Sequence, residues 1–119
     1  MQYLLMIYRS EAEFGKMDAA ARKEMSGEYG AFTQSIIQSG HFKAGDGLQP
    51  TTTATTVRVR DGKTLTTDGP FVAVKEAIGG WLVYEADDLD AAIELAARIP
   101  AARLGGAIEV RPVVEWSGG

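Results

Sequence analysis

TDGPFVAVKEAIGGWLVYE, residues 67–85, is the stretch whose reading decides the fold. It opens on a turn signature, Asp68-Gly69-Pro70-Phe71, passes a charged pair, Lys75-Glu76, and runs into Trp81-Leu82-Val83-Tyr84. An uninterrupted apolar and aromatic run of this kind is what a buried central strand requires. Gly79-Gly80 just ahead of it marks a bulge or a close backbone approach. Residues 77–86 are therefore expected to be the core strand, with a polar cluster delivered at its entrance as a site carried on a sheet.

Working upstream, Val57 and Val59 alternate with Arg58 and Arg60, the period of a half-buried strand. Asp61-Gly62 is a two-residue hairpin signal, since a type I′ turn needs positive φ at both central positions. Residues 63–67 return the chain to the Asp-Gly-Pro-Phe turn. The threonine-rich run 51–56 reads as a loop entering the hairpin, and residues 41–45 as a short strand. Residues 3–8 are apolar at every position, which suits a central strand covered on both faces. Residues 11–17 read as a polar connection. Asp18 is an N-cap candidate for a helix reaching about residue 39, with Met25, Tyr29, Phe32 and Ile36 on one stripe. Gly27 and Gly30 inside it each cost roughly 0.8–1.0 kcal/mol of helix propensity, which points to close packing or a kink. Gly40 ends the helix.

Downstream, Asp87 or Asp88 caps a second helix to about residue 99, buried through Leu89, Ala92, Ile93 and Ala96, with Glu94 and Arg98 an i,i+4 pair. Pro100 prevents further helix and residues 101–106 connect to a last strand, 107–114. There Ile108 and Val110 face one side and Glu109 and Arg111 the other. Pro112 predicts an edge or a strand end. Ser117, Gly118 and Gly119 are expected to fray.

The order strand, helix, strand, hairpin, strand, helix, strand predicts an α+β, ferredoxin-like split βαβ fold with an inserted β-hairpin, as one domain over residues 1–119. Two helices cover one face of such a sheet. The first strand, apolar on both faces, predicts that the other face pairs with a second copy as a homodimer stacked sheet to sheet.

Composition narrows the function classes. A net charge of −4 argues against nucleic acid, whose binding rests on Lys and Arg neutralising phosphates. The absence of cysteine excludes disulfides, thiolate nucleophiles and zinc–thiolate sites. No apolar run approaches the roughly 20 residues that span a bilayer, and the N-terminus lacks a basic leader, so a cytoplasmic protein without a membrane partner is expected. No metal-ligand spacing is present, and Gly45-Asp46-Gly47 is too short for a phosphate loop, so no cofactor is predicted.

The chemistry-bearing residues each have two readings. Asp68 accepts hydrogen bonds within its own turn on the structural reading, and is a cleft-mouth general base on the functional one. Phe71 reads as a core plug or a ligand-stacking ring. Lys75 and Glu76, adjacent on a strand, point to opposite faces, so one lines a cleft while the other is solvated. Arg58 can hold a ligand carboxylate through paired hydrogen bonds or lie on a solvated face. His41, the only histidine, follows a helix C-terminus whose dipole favours its charged form, and is the second acid–base candidate beside Asp68. The chain has no established catalytic motif. Cofactor-independent acid–base chemistry on a small molecule is what these residues offer.

Taken together, Asp68-Gly69-Pro70-Phe71, Lys75-Glu76, Gly79-Gly80-Trp81, residues 87–92, Pro100-Ala101-Ala102 and residues 108–112 resemble the DGPF family of the YCII-related group. The likeness extends from Tyr3 through Pro112. It implies a dimeric α+β barrel of ferredoxin-like type with a cleft beside each sheet, to which Tyr29, Arg58, Asp68, Pro70, Phe71, Lys75 and Glu76 are the candidate contributors. Some relatives are encoded beside, or fused to, extracytoplasmic-function sigma factors, which implies a non-catalytic regulatory or protein-interaction module as the alternative function. Two positions depart from the pattern. Ala73 and Val74 stand where members usually carry a glutamate and often a threonine. Tyr29 stands where another branch carries the histidine of a histidine–aspartate pair.

Overall fold

The computed structural model describes residues 1–115; the tail expected to fray lies outside them. In chain order the elements are β1 (Gln2–Ser10), α1 (Glu11–Gly15), α2 (Ala19–Gln38), β2 (Phe42–Gly47), a single 3-10 turn (Thr51–Thr53), β3 (Thr55–Arg60), β4 (Lys63–Asp68), β5 (Glu76–Glu85), α3 (Leu89–Arg98), α4 (Pro100–Arg103) and β6 (Ala107–Pro112). Strands β2-β5-β1-β6 form one antiparallel sheet, and β3-β4 a separate two-stranded ribbon. This is the ferredoxin-like α+β arrangement with an inserted hairpin.

The period-2 geometry of a strand sorts β1 onto two faces. Tyr3 and Leu5 are buried in the core with Leu82 of β5, Phe32 and Ile36 of α2, and Ala92, Leu95 and Ile99 at α3. Leu4, Met6 and Tyr8 lie on the opposite face, beside Val83, Trp81 and Ile78 in the register. Gly79 is skipped where β5 bulges against β1, as the glycine pair suggested. β6 is an edge strand that ends on Pro112, where a missing N–H costs no ladder bond.

Capping follows the local sequence. Asp18 accepts from the Ala21 N–H at 2.8 Å and Asp88 from the Ala91 N–H at 2.9 Å. Gly40 takes φ +79° beyond the end of α2. Four local expectations are corrected. Residues 11–17 are not merely a connection, because Ser10 accepts from the Glu13 N–H at 3.2 Å and starts α1. Pro100 does not stop helix but opens α4, at a position where its missing N–H would be unpaired anyway. Gly27 and Gly30 neither pack nor kink: α2 is continuous, and a Cβ at either would meet nothing within 4 Å. Leu89 and Ile93 lie half-exposed on α3, whose buried residues are Ala92, Leu95 and Ala96.

The Glu94–Arg98 pair is also corrected. Arg98 donates to Ser35 Oγ on α2 at 2.8 Å, and its guanidinium lies 5.6 Å from the Phe32 ring centroid. A neighbouring helix with a hydroxyl and an aromatic face outcompetes a solvated intrahelical ion pair worth a few tenths of a kcal/mol, ~0.3–0.5.

The hairpin turns where expected, with Asp61 at φ 52° and Gly62 at φ 74°. Its base is tied down. The Gly69 N–H bonds Ala54 O at 2.8 Å, and the Thr51 N–H and hydroxyl both reach the Glu11 carboxylate at 2.9 Å. Beyond that base the ribbon leaves the body: Val57 is 60% and Val59 70% exposed, not half-buried. Alternation is a local property, whereas covering a face needs a surface to meet it. The radius of gyration of 16.5 Å exceeds the about 13–14 Å of a compact domain of this length for the same reason. Among the described residues no helix is long and apolar enough to cross a membrane.

Candidate functional site

Two side chains on the helix-covered side of the sheet define the site. Arg9 follows Leu5 and Ile7 at the two-residue period, so β1 delivers it to the side on which α2 packs. The glycine at the β5 bulge makes room for it: a Cβ on Gly79 would stand 2.6 Å from Arg9 Nε and 3.2 Å from Cζ. Across α1, the guanidinium lies 4.2 Å from the Phe14 ring centroid, a cation–π contact. Among the described residues it has neither an ion-pair partner nor a side-chain hydrogen bond.

Tyr29 stands opposite, on the apolar stripe of α2 that also buries Phe32 and Ile36. Its phenolic oxygen accepts from the Ala101 N–H at 3.2 Å, which leaves its proton to donate. Burial pushes the phenol above the usual tyrosine range, while the Ala101 hydrogen bond and the Arg9 charge pull it partly back. Tyr29 is therefore a neutral donor at physiological pH.

Arg9 and Tyr29 form part of the wall of two cavities. One, of ≈ 420 Å³, opens between α2 and the β2–β5 side of the sheet, with Ile7, Phe32, Ile36 and Phe42 as apolar lining. The other, of ≈ 370 Å³, lies towards α1 and α4 against Phe14, Met17, Met25 and Leu104. Both volumes fall in the roughly 300–1,000 Å³ range of small-molecule pockets. A guanidinium without an ion-paired carboxylate and a phenol O–H, on walls that are mostly apolar but include Asp46 in one cavity and Glu13 in the other, are a donor set for a small anion: the fork meets a carboxylate edge, and low polarity strengthens both bonds.

Tyr29 is the one residue nominated from sequence that lines these cavities. Arg58 and Phe71 come together on the projecting arm, with the guanidinium 4.7 Å from the ring centroid, and Phe71 is 67% exposed rather than a core plug. Asp68 closes β4 opposite Thr55, Pro70 follows in the exposed irregular segment 69–75, Lys75 precedes β5, and Glu76 begins it opposite Ser10. His41 is exposed between α2 and β2, its ring 5.7 Å from that of Tyr84 beside a shallow depression at α3. Sequence reading missed Arg9. Its signal was present: an arginine in phase with Leu5 and Ile7 on a strand otherwise apolar through Tyr8.

The Tyr29 environment has a measurable consequence. A folded-state pKa raised above the unfolded value near 10 means that the fold retains this proton longer. The corresponding stability is complete below the unfolded pKa and is lost as pH rises through the folded one. Tyr29→Phe is expected to flatten the alkaline loss of stability above about pH 10, and to remove a phenol that titrates above the usual range from the absorbance titration at 295 nm. A variant titration curve with the raised component unchanged would place the perturbed group elsewhere.

The family model of the YCII-related domain matches residues 1–117. A protein of Rhizobium meliloti (strain 1021), named Uncharacterized protein R00369, is 28% identical over 120 residues that span 100% of this chain and 97% of that protein. The chain belongs to the YCII-related domain family.

Proposed function

We propose that this chain is a DGPF-type member of the family that binds a small organic carboxylate with an apolar body in the cleft under α2. The observation that carries the reading is Arg9: a half-buried guanidinium, without an acidic partner among the described residues, in the wall of the ≈ 420 Å³ cavity with the Tyr29 phenol. A partly buried cation without a direct ion-pair partner costs stability unless a ligand supplies one, and Asp46, the one carboxylate in that cavity's wall, makes no ion pair with it. The DGPF assignment is supported by Asp68-Gly69-Pro70-Phe71 at the hairpin base. Asp68 and His41 stand outside the cavity wall, so the reading is one of binding without a turnover step.

The domain works as a homodimer stacked through the side of the sheet opposite the core. Leu4, Met6, Tyr8, Trp81 and Val83 converge there in the register, a face that would otherwise remain in water. Isothermal titration with benzoate, hexanoate, succinate and inorganic phosphate tests the cleft. At least one monocarboxylate is expected to bind, and Arg9→Gln to weaken it about 10- to 100-fold, the range of a charge-assisted hydrogen bond. Equal affinity in the variant, or no binding by any of the four, would refute the reading.

A further inference from the structure

The arm of residues 54–75 is the largest part of the chain that the fold does not use. β3 and β4 pair only with each other, and a ribbon of two strands is marginally stable alone in water. Its register gives it two distinct faces. Val57 and Val59 lie opposite Thr66 and Thr64 on one, and Arg58 and Arg60 opposite Leu65 and Lys63 on the other. Valines 57, 59, 72 and 74 are each more than half exposed. Arg60 directly opposite Lys63 is a like-charge pair, which destabilises an unaccompanied ribbon.

Charge says what such a surface fits. Four of the chain's twelve Lys and Arg and two of its sixteen Asp and Glu fall in residues 54–75, so the arm carries +2 while the rest of the chain carries −6. A cationic arm and an acidic body in one polypeptide are complementary between copies, and reciprocal contacts about a two-fold axis satisfy both arms at once. We propose that residues 54–75 are a docking arm for a second copy of this chain: the arm of one protomer lies along the acidic body of its partner, an interface additional to the stacking of the sheets.

Two variants test it. In one, residues 55–68 are replaced by Gly-Gly, which the chain can close because the Ala54 carbonyl and the Gly69 N–H stand 2.8 Å apart. In the other, Arg58→Glu and Arg60→Glu reverse the cationic face. Sedimentation equilibrium is expected to show the dimer dissociation constant rising at least tenfold in both. The wild-type constant should also rise with salt, circular dichroism of the charge-reversed variant should stay native, and both variants should keep a cooperative melt because the arm adds nothing to the core. A benzophenone amino acid at Leu65, opposite Arg58 on the cationic face, in a mixture of ¹⁴N- and ¹⁵N-labelled chains, should give mixed-isotope crosslinks to body residues of the other copy. Unchanged dissociation constants in both variants would overturn the arm and leave sheet stacking intact. Crosslinks confined to one chain, or formed in lysate only to a different protein, would overturn it as well. A wild-type chain that stays monomeric at all concentrations overturns both interfaces.

Discussion

Leu5→Ala is expected to remove about 2–5 kcal/mol of folding stability, a large share of the roughly 5–15 kcal/mol that a single domain has. Leu5 is fully buried, at the centre of β1, between Leu82 of β5 and Val110 of β6. Strands on both sides hold the backbone, so the site collapses poorly around a smaller side chain and a cavity adds to the lost transfer energy. Urea unfolding should show a lower midpoint with the slope preserved. Leu4→Ala is the internal control. One residue away on the same strand, Leu4 points to the face without helices and is only half-buried, so its truncation should cost the monomer much less. Equal losses at the two positions would contradict the assignment of the faces.

Gly106→Ala should be the most damaging change outside the core. A Cβ there would collide with the Tyr8 carbonyl oxygen of β1 and stand 3.0 Å from the carbonyl oxygen of Ala101 in α4. Both obstacles are backbone, one of them bonded to the Gly106 N–H at 2.9 Å, so neither can yield as a flexible side chain would. Overpacking of this kind costs about 1–3 kcal/mol, and displacement of β6 from β1 would add to it. Gly27→Ala offers the opposite sign from the same chemistry. With open space around it on the solvent side of α2, it should gain roughly 0.8–1.0 kcal/mol of helix propensity. Thermal melts should therefore rank Gly27→Ala above the native chain and Gly106→Ala below it. A Gly106 variant that melts like the native chain would mean that the α4–β6 corner is looser than its geometry.

The candidate site was partly legible before any fold was known. Tyr29 sits on a helical stripe whose period alone places it beside Phe32 and Ile36, and such a stripe packs on the sheet or borders a cleft in it. Arg9 was legible only in part. Its phase with Leu5 and Ile7 assigns it a face, but the room for its guanidinium comes from the Gly79 bulge, which lies far along the sequence. The polar residues around the Asp-Gly-Pro-Phe turn read as a site because they directly precede the core strand. In the fold that turn closes the base of the hairpin, and Arg58 and Phe71 meet each other on the arm instead of meeting Tyr29.

What the sequence by itself determined were the features held by neighbours along the chain: the Asp18 and Asp88 caps, the Gly40 stop, the Asp61-Gly62 turn, the two-faced strands and, through their order, the ferredoxin-like class. Each depends on hydrogen bonds or φ preferences within a few residues, so the residue types suffice. Only the tertiary structure decided that Arg98 reaches Ser35 rather than Glu94, that Arg9 rests against Gly79 in the wall of two cavities, and that the hairpin stands away from the sheet. Those outcomes depend on which surfaces meet across long stretches of chain. No local pattern encodes that, because the energy of a buried contact belongs to both partners.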